Sequence, residues 1–216
     1  MIKFEMTNTW GWEHAIRGMR NPLNSWERSD SMFHMVGKND RELMIKLIKA
    51  GAPHRKFLRQ IFVSVDITAP LYWWKEFDTY KVGTTANSCS TMHTLHKKEF
   101  ELGDFSHDYL FESILTEDGE LEVNTLDVLK ETILNLNGLR KLYLDTKDPI
   151  YWRAMVQLLL SSYNQKRTVT MTYENLLNIL EYRRGHKLAE WKRFCEWIDT
   201  LPCAYLLHEG LSHEPG

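Results

Sequence analysis

Residues 61–68 alternate between apolar and mostly polar side chains. The apolar residues at the odd positions are Ile61, Val63, Val65 and Ile67. A period of two residues is typical of a half-buried β-strand with two distinct faces. The chain is therefore expected to contain a sheet with one face covered by other elements.

Helical patterns surround this strand. A helix is predicted from Asn39 to Gly51, between a capping residue and a terminal glycine, and an aromatic helix from Pro70 to about Tyr80. Further helices are predicted from Asn124 through Leu139, from Asp148 to Leu160, from Tyr173 to about Arg184 and from Lys187 to Thr200, with extended chain from Gln165 to Thr172 and irregular chain over 81–92 and 97–123. The predicted class is α+β, mostly helical with a small antiparallel or mixed sheet.

Length and composition predict one domain over residues 1–216. The chain is 43% hydrophobic and has eight tryptophans, which suffices for one substantial core. The formal net charge of -2 argues against nucleic-acid or anionic-membrane partners. No apolar run reaches the length of a signal peptide core or of a membrane span, so a cytoplasmic protein is expected.

The three cysteines are Cys89, Cys195 and Cys203. Their odd number and their spacing argue against a disulfide framework and against a zinc site, and no metal is expected. Cys89 and His93 stand four residues apart, but this spacing alone does not define a nucleophile and its base, so a small buried cysteine is favoured.

Residues 47–93 resemble the flavin-dependent thymidylate synthases in the order and spacing of their elements. Those enzymes have a similar strand ending in Ala-Pro, here Ala69-Pro70, then an aromatic helix and the signature Arg-His-Arg-x-x-Ser-x-Asn-x-x-Ser-x-Arg-Tyr. The corresponding stretch is 79–93, with one extra residue. In it, Asn87 and Ser90 match the signature, Lys81 replaces an arginine, Thr84 replaces a serine, and Met92 and His93 stand in place of arginine and tyrosine.

A second stretch, from Asn175 to Arg183, resembles the late helix of that family, in which an asparagine and an arginine five residues later face the nucleotide. Asn178 and Arg183 have this spacing here. His186 and Ala189-Glu190-Trp191 are similar to the continuation of the family pattern, with a shifted spacing.

The resemblance implies a homotetramer that holds FAD where subunits meet and methylates dUMP with methylenetetrahydrofolate, using NADPH as reductant. The implied flavin-binding residues are His54, Arg59, Tyr80, Lys81, Thr84, Asn87 and Asn178. The implied nucleotide-binding residues are Ser88, Ser90, His93, Arg167 and Arg183, with Lys166 and Arg184 as alternatives if the register differs by one. No catalytic residue is assigned, because the cofactor carries the difficult chemistry in such enzymes.

The altered signature leaves a second hypothesis open, a flavin- or nucleotide-binding relative without catalysis. Arginine offers phosphate a planar bidentate donor, and lysine is only a point-charge substitute. Single residues also have structural explanations: His54 as a surface loop residue, Arg55, Lys56 and Arg59 as a solvated helix face, Trp73 and Trp74 as core, Asn178 and Arg183 as surface residues of a helix, and Arg17 with Arg20 as a surface pair on a possible helix.

Overall fold

The computed structural model describes residues 2–32, 35–119 and 122–211. It is about 50% helical with a small antiparallel sheet, which confirms the predicted α+β class. The strands are β1 Lys3–Trp10, β2 Phe62–Pro70, β3 Thr85–Ser88, β4 Ile114–Leu115, β5 Glu122–Val123 and β6 Asn164–Thr172. The helices are α1 Trp12–Arg20, α2 Lys38–Lys49, α3 Leu71–Phe77, α4 Thr91–Thr94, α5 Thr125–Thr146, α6 Pro149–Leu158, α7 Tyr173–Arg183, α8 Ala189–Asp199 and α9 Tyr205–His208.

The described residues form two compact units whose segments alternate along the sequence. The α5–α6 unit comprises Thr68–Phe77 and Ser88–Arg167. The α7–α8 unit comprises Ile2–Ile67, Asp78–Asn87 and the chain from Thr168 onward. The single domain expected from the sequence stays a prediction.

The larger sheet has the strand order β1-β2-β6-β3. The hydroxyl groups of Ser64 and Thr170 are hydrogen-bonded to each other at 2.9 Å, and Thr168 Oγ1 donates to Asp66 Oδ1 at 2.7 Å. From the first pair to the second, the residue number rises on β2 from 64 to 66 and falls on β6 from 170 to 168. The strands β2 and β6 therefore run antiparallel. The smaller sheet pairs β4 with β5, also antiparallel.

The alternating face predicted for 61–68 is present in β2. Its odd-numbered residues, Ile61, Val63, Val65 and Ile67, are buried, and the residues between them are partly exposed. In the α7–α8 unit, helix α7 contacts α8 and α9 and adds further core side chains. Those fully buried on α7 and α8 include Leu176, Ile179, Trp191, Phe194 and Ile198.

The α5–α6 unit is built on two helices that pack against each other. The Asn124 side chain caps α5 by accepting from Asp127 N at 2.9 Å, and Asp148 caps α6 by accepting from Ile150 N at 2.9 Å. The core side chains of this unit include Leu95, Phe100, Phe105, Leu129, Ile133, Leu136 and Met155. Trp73 and Trp74 are buried in this unit as well, which confirms that they are core residues.

Several expectations from the sequence are wrong. Residues 81–92 are not one continuous loop, because Thr85–Ser88 form β3 next to β6 and α4 begins at Thr91. The aromatic helix is shorter than predicted: Pro70 is the last residue of β2, and α3 ends at Phe77. The pairing of β3 with β6 depends on residues far apart in the sequence, so the local pattern over 81–92 did not indicate a strand.

Two side chains also differ in burial from expectation. Cys89 is exposed, not buried, because it directly follows the exposed strand β3. Arg20 is buried and paired with Asp40, so it is not a surface partner of the exposed Arg17, although both lie on a helix as expected. None of the helices in the described ranges is long and apolar enough to cross a membrane.

Candidate functional site

Arg183, the last residue of α7, is held between two aromatic rings. Its Nε donates to the Tyr80 hydroxyl at 2.8 Å, and its guanidinium carbon lies 4.6 Å from the centre of the Trp191 ring and 5.6 Å from that of Tyr80. Trp191 is fully buried, so it provides a rigid surface for cation–π stacking. The contacts restrict the rotamers of a planar group that is suited to bidentate recognition of anions.

The loop Tyr80–Thr84 is the last part of the connection between α3 and β3, which spans residues 78–84. Gly83 has φ +74°, and a Cβ at this position would lie 2.9 Å from Asn175 Oδ1. Glycine therefore suits both the backbone conformation and the close approach to α7. Thr84 Oγ1 is buried without a hydrogen-bond partner among the described residues, whereas Lys81 is exposed. A buried hydroxyl without a hydrogen-bond partner is uncommon in proteins.

A basic turn precedes β2 and contacts the first turn of α7. Arg55 and Arg59 both form ion pairs with the buried carboxylate of Glu174, the former at 3.4 Å. The hydrogen bond from Arg59 to Glu174 raises the pKa of Arg59. The ion pairs attach the turn to α7, so the turn is not only a solvated face. The single carboxylate of Glu174 is shared by Arg55 and Arg59, so the turn keeps a net positive charge.

His54 is exposed at the start of this turn and lines a cavity of about 550 Å³. The other lining residues are Gly18, Met19, Asn21, Pro22, Leu23, Leu43, Leu47, Pro53, Lys56, Phe57 and Gln60. This mixture of apolar walls and a few polar or basic side chains is typical of pockets for cofactors and small ligands.

In the α5–α6 unit, Arg167 is also held in place. Its Nε donates to Gln165 Oε1 at 2.9 Å, and its guanidinium carbon lies 4.2 Å from the centre of the Trp74 ring. Gln165 is buried and donates through Nε2 to the Cys89 carbonyl at 2.8 Å, while Trp74 Nε1 donates to the Gln165 carbonyl at 2.9 Å. The strand β6, the helix α3 and the chain after β3 together fix this arginine.

Ser90 and His93 lie at the short helix α4, in the same unit. Ser90 Oγ caps α4 by accepting from His93 N at 3.3 Å, and the His93 side chain is exposed. Asn87 and Ser88, in β3, are exposed as well. Ser90, the serine that matches the family signature, therefore has a structural role as the cap of α4.

The structure brings only some of the predicted site residues into direct contact. Tyr80 and Arg183 touch each other, whereas Asn178 is exposed on α7. The supporting roles of Glu174, Asn175, Trp191 and Gln165 were not predicted from the sequence. A signal for Asn175 was present in the sequence, because a threonine three residues before a side chain that can reach back is the pattern of a capping box.

The chain has the fold of the flavin-dependent thymidylate synthases, as the resemblance predicted. Two structures of ThyX from Helicobacter pylori complexed with FAD and dUMP match it with TM-scores of 0.68, at 20% and 21% sequence identity. Each match covers 98% of this chain and 99% of the other.

A second enzyme of known structure has a similar fold. The UMP/dUMP methylase PolB from Streptomyces cacaoi bound with 5-Br UMP matches with a TM-score of 0.61 at 12% identity, over 99% of this chain and 97% of that one. No protein-family model matches the sequence, and no curated protein matches it significantly.

Proposed function

We propose that the chain is an FAD-dependent enzyme that modifies a uracil nucleotide at C5. The reaction is methylation of dUMP or a close relative, with methylenetetrahydrofolate as one-carbon donor and NADPH as reductant. The observation that carries this proposal is the likeness over 98% of the chain to an enzyme complexed with FAD and dUMP. The similar fold of a UMP/dUMP methylase supports the same substrate class. A shared fold alone does not define an activity, which depends on the residues of the candidate site.

The residues of the α7–α8 unit fit a large anionic cofactor. We assign FAD binding to His54, Arg59, Tyr80, Lys81, Thr84, Asn87 and Asn178. The net positive turn around Arg59 suits a diphosphate, and the Thr84 hydroxyl, which has no partner among the described residues, suits a hydrogen bond to the cofactor. When bound, FAD supplies hydride transfer, and the protein contributes binding and orientation.

Nucleotide binding is assigned to Ser88, Ser90, His93, Arg167 and Arg183. Arg167 and Arg183 each stack on a buried tryptophan and have Nε bonded to a neighbouring side chain. Such preorganised guanidinium groups lose little rotamer entropy when they bind a phosphate. They supply the planar donors that Lys81 and Met92 no longer offer at their positions in the signature.

A flavin- or nucleotide-binding protein without catalysis is the second candidate. Met92 stands in place of the last signature arginine, and its side chain is 51% exposed. An exposed apolar side chain at this position removes a phosphate donor without an obvious gain in packing. Binding without turnover would follow if the remaining donors hold the ligands but do not orient them for reaction.

We also propose that the protein assembles as a homotetramer. The support is that many proposed site residues, among them Lys81, Asn87, Ser88 and His93, are exposed in a single chain. A site completed by neighbouring subunits would enclose them and exclude water from the flavin. Analytical ultracentrifugation with and without FAD tests the assembly.

The first test is a titration of the purified protein with FAD, followed by visible absorbance. We expect saturable binding that is weakened in Lys81→Ala and retained in the control Lys75→Ala, whose lysine is exposed on α3. Binding of dUMP to the FAD-loaded protein should be weakened in Arg183→Ala. Failure of the folded wild-type protein to bind FAD would refute the flavin proposal.

The second test separates the two candidates. FAD-loaded protein is incubated with dUMP, NADPH and methylenetetrahydrofolate, and the nucleotide is analysed by mass spectrometry. A gain in mass equal to one methylene group, together with loss of the C5 proton resonance in a proton NMR spectrum of the same nucleotide, supports the enzyme. Tight binding of FAD and dUMP without any change in the nucleotide supports the binding protein.

A further inference from the structure

Asn175, on the first turn of α7, makes contacts in two directions. Its Oδ1 accepts from Thr172 N at 3.0 Å, and its own N–H donates to Thr172 Oγ1 at 3.3 Å, which together form the capping box of the helix. Its Nδ2 points the other way and donates to the Val82 carbonyl at 2.5 Å. One amide therefore caps α7 and binds the loop Tyr80–Thr84.

The loop is attached to α7 at a second point. Arg183, at the other end of the helix, bonds the Tyr80 hydroxyl. Asn175 and Arg183 are separated by about 12 Å along the helix axis, at a rise of about 1.5 Å per residue. The loop thus follows α7, and Thr84 N closes a turn by donating to Lys81 O at 3.4 Å.

Gly83 permits the contact with Asn175. Its positive φ suits glycine, and any side chain would meet Asn175 Oδ1 at 2.9 Å. The loop backbone therefore approaches the amide closely at the residue next to the hydrogen-bonded Val82. A contact this close restrains the loop backbone at the residues that carry the Lys81 and Thr84 side chains.

We propose that Asn175 is a positioning residue that holds the loop Tyr80–Thr84 in the conformation that binds the flavin. This inference rests on the proposed function, because the loop carries residues assigned there to FAD. Asn175 itself is not assigned a contact with the ligand. It acts through the Val82 carbonyl, and its contribution to binding is separable from its contribution to the helix.

The variant Asn175→Asp separates the two roles. A carboxylate keeps the oxygen that accepts from Thr172 N and is favourable near a helix N-terminus, so α7 remains capped. It cannot donate to the Val82 carbonyl, and its second oxygen repels that carbonyl. Gly83→Ala disturbs the same contact from the loop, and Asn135→Asp, at an exposed position of α5, controls for the added charge.

Two measurements follow the variants. Trypsin cleaves after Lys81, which is exposed, and early cleavage of the Lys81–Val82 bond, quantified by mass spectrometry, reports release of the loop. FAD affinity is measured by absorbance titration. For Asn175→Asp and Gly83→Ala we expect faster cleavage at Lys81 and FAD binding weakened about tenfold. For Asn175→Asp the unfolding temperature should match that of Asn135→Asp.

The outcomes distinguish this inference from the proposed function. If the wild-type protein binds FAD and Asn175→Asp is cleaved at Lys81 at the wild-type rate, the inference is overturned and the proposed function stands. Faster cleavage with unaltered FAD affinity would overturn it as well, because the loop would then be held but not used. Absence of FAD binding in the wild type would refute the proposed function first, whatever the cleavage pattern.

Discussion

Arg20 and Asp40 form an ion pair almost completely removed from solvent, with Nε and Oδ1 2.6 Å apart and side chains 4% and 0% exposed. The remaining donors of Arg20 bind the carbonyl oxygens of Ser25 and Arg28. Asp40 Oδ2 accepts from the hydroxyls of Ser29 and Ser31. The pair therefore links α1, the following turns and the start of α2 through hydrogen bonds that satisfy both charges.

Breaking this pair from one side should be costly. Asp40→Asn leaves the buried guanidinium without its counter-charge, so we expect a loss of about 3–5 kcal/mol in the free energy of unfolding. Urea denaturation monitored by tryptophan fluorescence measures it. The double variant Arg20→Met with Asp40→Leu should be more stable than Asp40→Asn, because it buries no charge. A loss below about 1 kcal/mol in Asp40→Asn would mean that the pair behaves like a surface salt bridge.

The same carboxylate predicts acid sensitivity. Burial by itself raises the pKa of Asp40, but hydrogen bonds from Ser31, Ser29 and Arg20, together with the charge of Arg20, hold it below its ordinary value of 3.8. A lowered folded-state pKa contributes stability that is present above the unfolded-state value and is lost as the pH falls through the folded-state value. The difference in unfolding free energy between wild type and Asp40→Asn should therefore be constant near neutral pH and shrink below about pH 4. A constant difference down to pH 3 would contradict this assignment.

Local signals explain why much of the fold was predictable. Asn124, Asp148 and Thr172 cap α5, α6 and α7, and each is a residue whose side chain bonds the helix N-terminus in most contexts. The alternation over β2 was equally clear, because one face is buried completely. These features depend on residues within a few positions of each other.

The parts that were missed depend on distant partners. Arg20 meets Asp40 twenty residues away, and strand β3 exists because β6 lies beside it. Arg183 was a candidate through the resemblance, but its stacking on Trp191 has no sequence pattern of its own. The functional roles of all the candidate site residues, Arg183 included, stay predictions.

The cysteines should differ sharply in reactivity. Cys89 is exposed, whereas burial first, and then the nearby acids Asp199 and Glu196, raise the pKa of the Cys195 thiol to about 12. Because the thiolate is the reactive form, iodoacetamide should label Cys89 in the native protein and Cys195 only after unfolding. Mass spectrometry of tryptic peptides from wild type and Cys89→Ser tests this. Equal labelling rates for the two thiols in native protein would contradict the burial of Cys195.

Arg183→Lys tests whether the geometry of the guanidinium matters as well as its charge. Lysine keeps the positive charge but loses the planar fork, the stacking on Trp191 and the bond from Nε to Tyr80. If Arg183 binds the nucleotide phosphate, affinity for dUMP should fall about tenfold to a hundredfold, the range of one lost bidentate contact of about 1–3 kcal/mol. Isothermal titration calorimetry on the FAD-loaded protein measures this, with Arg41→Lys, at an exposed position of α2, as the matched control. Wild-type affinity in Arg183→Lys would contradict a bidentate contact of Arg183 with the phosphate.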